Sequence, residues 1–590
     1  MASCEGLTEG ALLRILRHLP ALESLLLDAG SLDTPLMGDG LLVAIGQCCP
    51  KLRSLVLLHL SPAPQPDFRH LSACAGLRRL DLGTSLSRIT NPTLSALLSE
   101  LPLLEFYRGP AVTSFGSCAL QSIEVPSLAS APCALARSPL ASVAIADAPP
   151  ADFPGLLTAH ASTLRSVSVG TARPAVLAAL MELPQLAELS LQGCDTLQSL
   201  APLLAHLERA SLSPARLAFT DPGPVVLASC CLRELRLLTA RSTVGLLSLD
   251  MPCLEVLQLP AIQPPCEPPP RLVLRCPSLR ELLDLPARTT VILECSLSRL
   301  TVLSAARDAT PEQPLWLSSV LLCRPALPAL RRVENLVLAD PKLAAALLDG
   351  TLAPGLTAAT ITACLPGVLR LVPALRNLNV TLLAPQPANF TLVGPALQRF
   401  SMREIRARSL CLFCGQLTQL KLSDADEAGL TRLLVGPETV ALRALSLHPS
   451  NLGWVTGFLG TRCARSLQKF TLVGPLLAGV RPWTSLLSAL AELPRLAQLA
   501  LTYCPVARLE IRHPVLRTLW LRCCAARLLE VRCPRLERLD VREESGPPAR
   551  VVELVGPCPY LTRVGEVDIT QAAAIRMRFP GVILDAAAFY

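Results

Sequence analysis

The sequence predicts an α/β solenoid: a horseshoe of stacked coils with a parallel β-sheet along its concave side and short helices mixed with extended segments on its convex side. Three observations predict it. At 590 residues the chain is far too long for one compact core. Hydrophobic residues make up 51% of it, yet only 3% is aromatic, so the interior is aliphatic and layered. One phrase also recurs throughout: leucine, two variable residues, an apolar residue, one variable residue and usually a second apolar residue.

The first leucine of that phrase falls at Leu22, Leu52, Leu77, Leu104, Leu164, Leu186, Leu232, Leu254, Leu279, Leu375, Leu397, Leu417, Leu442, Leu467, Leu496, Leu516, Leu536 and Leu561. Clear neighbours lie 20 to 30 residues apart. A leucine-rich chain generates some such phrases by chance, and proline supplies the independent marker. It stands two residues before twelve of the eighteen anchors, where 54 prolines in 590 residues predict one or two. A strand alternates its faces, so residues +3 and +5 from each anchor face the core and +2 and +4 face away. Leu445, Leu499, Leu519 and Leu539 are therefore expected to be buried. Coils stack, and each buries its apolar side only against its neighbours.

Longer coils have room for a helix, with helical spacing over Thr8–Leu19, Asp39–Cys48, Pro174–Leu183, Pro341–Leu348 and Ser485–Leu493. Coils near 20 residues do not. In residues 509–541 a second, irregular strand or extended segment is expected on the convex side. The whole chain, 1–590, reads as one array, with irregular stretches near 105–160 and 285–330. Proline-rich loops are expected at Ser61–Pro66, Pro264–Pro270 and Pro385–Pro387.

The phrases L-P-A-L-E-S-L-L-L, C-P-K-L-R-S-L-V-L, C-P-R-L-E-R-L-D-V and L-P-R-L-A-Q-L-A-L resemble the cysteine-containing, ribonuclease-inhibitor-like leucine-rich repeats of F-box/leucine-rich-repeat proteins. The resemblance implies a leucine-rich-repeat solenoid and speaks to fold more than to function. It raises the question of an F-box in L-T-E-G-A-L-L-R-I-L-R-H-L-P, which would imply a substrate receptor of a cullin-type ubiquitin ligase. Residues 10–25 also match residues 40–55 at an offset of thirty, including Ile15/Ile45, Pro20/Pro50 and Leu25/Leu55. The tryptophan-containing second half of an F-box is missing, and the first tryptophan is Trp316. A first repeat is the simpler reading.

Mean hydropathy is +0.45, but no run of eighteen uncharged apolar residues offers a spanning helix. M-A-S-C-E-G-L-T-E-G has neither a basic n-region nor an h-region, so a cytoplasmic setting is expected, with the nucleus as an alternative. The 23 cysteines are odd in number and scattered, which suits small buried hydrophobes in a reducing compartment. Cys411 and Cys414 have metal or redox spacing but lack a second pair, so no metal is expected there. The adjacent pairs Cys48–Cys49, Cys230–Cys231 and Cys523–Cys524 read the same way. Seven histidines lie far apart, and neither a Walker A loop nor G-x-G-x-x-G is present. Asn379 and Asn389 head glycosylation-type triplets that a cytosolic chain would not use. No enzymatic activity and no cofactor are expected.

Binding is the remaining function class. A net charge of +8 over this length is mild. Arg512, Arg522, Arg532 and Arg542 recur every ten residues, so stacking should set Arg512 over Arg532 and Arg522 over Arg542. These two ladders are either a salt-bridged solvated face or a patch for an acidic partner. Residues +2 and +4 of the C-terminal coils line the concave sheet, among them Arg399, Lys421, Lys469, Trp520, Arg538 and Asp540. Trp520, rimmed by Arg522, Arg538 and Arg542, is the expected centre of a partner site; the competing reading packs it against neighbouring arginine stems. The partner is expected to be a protein, an acidic one where the arginine ladders form a patch. Nucleic acid is disfavoured by the scarcity of aromatic residues, and no membrane contact is expected.

Overall fold

A computed structural model describes residues 9–28, 39–58, 67–83, 92–112, 115–117, 119–126, 135, 138–147, 149–193, 200–212, 225–237, 246–259, 271–285, 290–293, 297–305, 327–338, 341–383, 389–405, 407–424, 430–436, 442–449, 452–474, 480–524, 528–542, 551–554, 558–567, 575, 577–579 and 582–586. The three proline-rich loops lie wholly outside these residues. The chain divides into two compact units, Met1–Cys295 and Ser296–Tyr590.

The local rule is a turn that feeds a strand. In Cys49–Pro50–Lys51–Leu52 the anchor N–H donates to the Cys49 carbonyl at 3.1 Å. Proline occupies the second turn position, where its fixed φ is already correct. The next two N–H groups, of Arg53 and Ser54, both donate to Glu23 of the preceding coil at 2.8 and 3.0 Å. Arg78 and Arg79 repeat this on Arg53 at 2.8 and 2.9 Å. Every anchor leucine named above stands two residues before a strand.

In the N-terminal unit these strands pair in parallel and in chain order from Ser24–Asp28 through Glu281–Leu285. Ser24 pairs with Ser54 and Leu25 with Leu55, the thirty-residue offset of the internal match. Residues 9–28 are thus a helix, Glu9–Arg17, and a strand stacked as a repeat coil. In the C-terminal unit the same parallel order runs from Val302–Ala305 to Ile583–Ala586. We call these the anchor sheets. Their +3 and +5 side chains form the core: Leu445, Leu499, Leu519 and Leu539 are at most 2% exposed.

Three features differ from expectation. The stretch 105–160 is not irregular in the anchor sheet. Leu120 and Leu140 are further anchors, and strands Phe106–Arg108, Ser122–Val125, Ser142–Ile145 and Ser166–Val169 pair without a break. The coil from Leu104 to Leu120 has only 16 residues, below the spacing the phrase suggested. Near 285–330 the described residues include the strands Thr290–Leu293 and Val302–Ala305.

Second, the far side of the short coils does carry a second strand, but a regular one paired with its neighbours rather than an irregular one. Strands Arg508–Arg512, Leu528–Arg532 and Val551–Leu554 form a second parallel sheet. Similar sheets comprise Val225–Ala228 to Thr290–Leu293 and Val368–Arg370 to Arg432–Val435. Parallel stacking satisfies backbone groups that a lone extended segment would leave unpaired.

Third, coil length alone does not select helix. The 22-residue coil from Leu164 holds the helix Pro174–Met181, led by proline and rich in alanine and leucine. The coil from Leu232 to Leu254 has the same 22 residues and holds the strand Leu246–Asp250 instead.

Candidate functional site: a cationic groove in the C-terminal unit

The outward face of an anchor sheet is lined by residues +2 and +4 of successive coils, in strict register. In the N-terminal unit its arginines are all paired with acids. Arg79 meets Asp81 at 3.3 Å and Arg108 meets Glu124 at 3.2 Å. Arg209 lies 2.7 Å from Glu188 and 3.9 Å from Glu234, which Arg236 also pairs. That face is close to neutral.

The C-terminal unit differs. A groove of about 940 Å³ opens on its anchor sheet. Its floor includes a +4 row that reads Thr360, Asn379, Ser401, Lys421, Ser446 and Thr471, each in register with the next. The parallel +2 row brings in Asn377, Arg399, Gln419, Ala444 and Lys469. Small hydroxyl and amide side chains leave the space that the longer cations overhang.

Of the cations that line the groove, Arg332 pairs with Glu334, and Arg331 donates to the Gly355 carbonyl at 2.8 Å. Arg399 donates from Nε to the Asn377 amide oxygen at 2.5 Å, a neutral partner. Lys421 and Lys469, both exposed, have no acidic partner among the described residues. Asn379 adds an unused acceptor, since its Oδ1 is buried with no hydrogen-bond donor among the described residues. Arg399, Lys421 and Lys469, chosen from sequence as separate outward positions, are thus brought into one groove.

The C-terminal coils place the other residues differently. Trp520 is half-buried rather than exposed, and Lys469 Nζ stands 6.0 Å from its ring centroid. Asp540, expected on the open face, is only 4% exposed. It lies beside Trp520 in register, with Arg538 at 3.6 Å. Burial against the aromatic neighbour and an arginine overrides the outward position. Arg522 is exposed and in register with Arg542.

Arg512 and Arg532 also stack in register, but on the second sheet, where Glu510 and Glu530 alternate with them. Glu530, 5% exposed, takes a hydrogen bond from Arg532 Nε at 2.8 Å and a weaker one from Arg508 at 3.5 Å. These arginines hold its carboxyl below the usual range, with the Arg532 hydrogen bond contributing most. That ladder is a salt-bridged face.

Cysteine positions follow the turn. At −3 from an anchor the thiol is buried, and several donate to a backbone carbonyl of the preceding coil: Cys74 to Cys49 at 3.5 Å, Cys533 to Ile511 at 3.7 Å and Cys558 to Cys533 at 3.7 Å. Cys414 occupies this same position and is buried, while Cys411 sits on a second-sheet strand. The pair Cys230–Cys231 departs from expectation. Both are exposed, with sulfurs 3.6 Å apart, because they occupy −2 and −1 in the turn rather than a strand. Among the described residues no group of three His, Cys, Asp or Glu could hold a metal ion. No described helix is long and apolar enough to cross a membrane.

The turn-and-strand coil, its leucine layers and its parallel anchor sheets define a leucine-rich-repeat solenoid protein. No family model and no curated protein matches the chain. Solved structures with a similar fold include the Arabidopsis receptor kinase HAESA in complex with the peptide hormone IDA and the co-receptor SERK1. It is 13% identical, covers 96% of this chain and 82% of that one, and has a TM-score of 0.33. The HAESA leucine-rich-repeat ectodomain with an N-terminally extended IDA peptide is 12% identical, with coverages of 92% and 83% and a TM-score of 0.29.

Proposed function

We propose that this chain is a non-enzymatic protein-binding scaffold, and that its partner docks on the anchor-sheet face of the C-terminal unit. Arg399, Lys421 and Lys469 make the principal contacts. Half-buried Trp520 and the neighbouring Arg522 and Arg538 continue the surface beyond them. The observation that carries this reading is the contrast in charge pairing. The inner-face arginines of the N-terminal unit are neutralised by acids, whereas these three cations lie together in a groove with no acid beside them among the described residues, its one glutamate, Glu334, being paired with Arg332. Unneutralised charges held close together repel one another, and a bound anionic partner relieves that cost. One array over residues 1–590, the cysteine-containing repeat subtype and a cytoplasmic setting belong to the same reading.

The test fills the groove without changing its charge. A Ser446→Trp/Thr471→Trp variant and the wild-type chain are immobilised side by side and partners are identified by mass spectrometry. A protein retained by wild type, purified and rebound, must fail to bind the filled variant. Identical partner sets on the two chains would sink the reading.

A further inference from the structure

We infer that the occupant of this groove is an extended acidic segment of a partner protein, laid across the strands with its carboxylates on Arg399, Lys421 and Lys469. This rests on the docking reading above and adds the chemistry and conformation of the ligand.

Charge selects an anion. The groove presents two lysines and an arginine with no acid beside them among the described residues, and the paired Glu334 lies at its far end next to Arg332. Spacing suits a chain rather than a single small anion. Neighbouring strands are about 4.8 Å apart and residues two apart on a strand about 6.7 Å, so the Cα atoms of Arg399 and Lys421 lie roughly 8 Å apart and those of Lys421 and Lys469 roughly 12 Å. Side chains on one face of an extended peptide recur about every 6.7 Å. Three carboxylates spread over about six residues therefore reach all three cations.

The floor selects the conformation. Asn379 Oδ1 is a buried acceptor with no donor among the described residues, flanked in its row by Thr360 and Ser401. Leaving such a group unmet costs free energy, and rotation of the half-buried Asn379 amide toward a ligand N–H recovers it. An extended segment has unpaired backbone N–H groups along its length. The interior of a helix has none.

The lining disfavours nucleic acid. Its one aromatic residue, Phe400, is 2% exposed and faces the core, so bases find no stacking platform. Lys469 is meanwhile held in place by Trp520, which lowers the ordering cost of a contact to it.

The probe is a fluorescein-labelled decapeptide of alternating Glu and Ser, measured by anisotropy against the full chain at low ionic strength. Its Gln/Ser counterpart and a ten-nucleotide uridine RNA are run beside it. The Glu peptide is expected to bind, to weaken as salt rises, and to exceed both controls by about tenfold or more. Lys421→Gln/Lys469→Gln should weaken it by about tenfold and Asn379→Ala by a few-fold, while Arg236→Gln on the N-terminal unit leaves it unchanged. Thermal melts confirm that each variant is folded. Equal binding of the Glu and Gln peptides, tighter binding of the RNA, or full affinity in the double lysine variant overturns the proposal. If the Glu peptide fails while the groove-filled variant still loses a captured partner, docking stands and the acidic occupant falls.

Discussion

Lys469 Nζ stands 6.0 Å from the centroid of the Trp520 ring, although a whole strand, Gln498–Thr502, runs between theirs. The residue in register with Trp520 on that middle strand is Ala500. A methyl side chain there leaves the space across which the ammonium and the ring approach. The tryptophan thus serves the groove behind it more than the arginines ahead of it.

Two substitutions separate these roles. Trp520→Ala should weaken Glu-peptide binding by about two- to fivefold, because an exposed cation–π contact of roughly 0.5–1 kcal/mol orders Lys469 in the free chain and its loss adds that ordering cost to binding. Ala500→Leu should do the same while keeping the ring. Melting temperature should move little in the first variant. A large loss of stability with binding intact would show that Trp520 is a packing residue.

Much of this was legible in the sequence, and the misses have physical causes. The anchors chosen by phrase all precede strands by two residues because proline and leucine mark a turn with a fixed hydrogen-bond pattern. Anchors at Leu207, Leu300 and Leu356 went unread because alanine (Ala210, Ala305, Ala359) replaces a larger residue at a core position. The register marks Arg399, Lys421 and Lys469 as outward positions, but that they share one groove depends on the small side chains between them across several coils. Which charges are neutralised depends on cross-coil partners such as Glu530 beside Arg508 and Glu510 beside Arg532, and a linear pattern does not show them.

Leu519 is fully buried between Leu499 and Leu539 on the neighbouring strands. Leu519→Ala should cost roughly 2–5 kcal/mol, since the stacked layers on either side cannot close over the cavity. Chemical denaturation of the full chain reads this as a lower midpoint for the transition that includes the C-terminal unit. A shift within error would mean that the leucine layers do not carry the stability assigned to them.

Thiol reactivity should follow turn position. Burial pushes Cys74 up to about 11 and Cys533 up to about 12, so neither offers thiolate at neutral pH. Cys230, Cys231 and Cys253 are exposed. Brief iodoacetamide treatment of the native chain, followed by peptide mass spectrometry, should label those three well before Cys74, Cys276, Cys414 or Cys533. Prompt labelling of Cys533 in folded protein would contradict the buried −3 position.

Acid should destabilise the chain in two stages. His160 and His513 are each 3% exposed, and burial holds both imidazoles below 6.5, opposed in part by hydrogen bonds with the Leu135 and Leu493 backbones. The unfolded chain takes up protons at these histidines near pH 6.5, while the folded chain does so only at lower pH. The unfolded state therefore binds more protons in that interval, and stability rises with pH through it. Lowering the pH from about 6.5 should accordingly lower the melting temperature. Glu530 acts further down: its carboxyl titrates below 4.5 in the folded chain, so its contribution is present above that value and lost as pH falls past it. Melting curves from pH 8 to pH 4 should be flat, then fall below 6.5, then fall again below 4.5. A His160→Phe/His513→Gln variant should lose the first step and keep the second. Glu530→Gln should lose only the second. A melting temperature constant between pH 7.5 and 5.5 in the wild-type chain would refute the assignment of buried, neutral histidines.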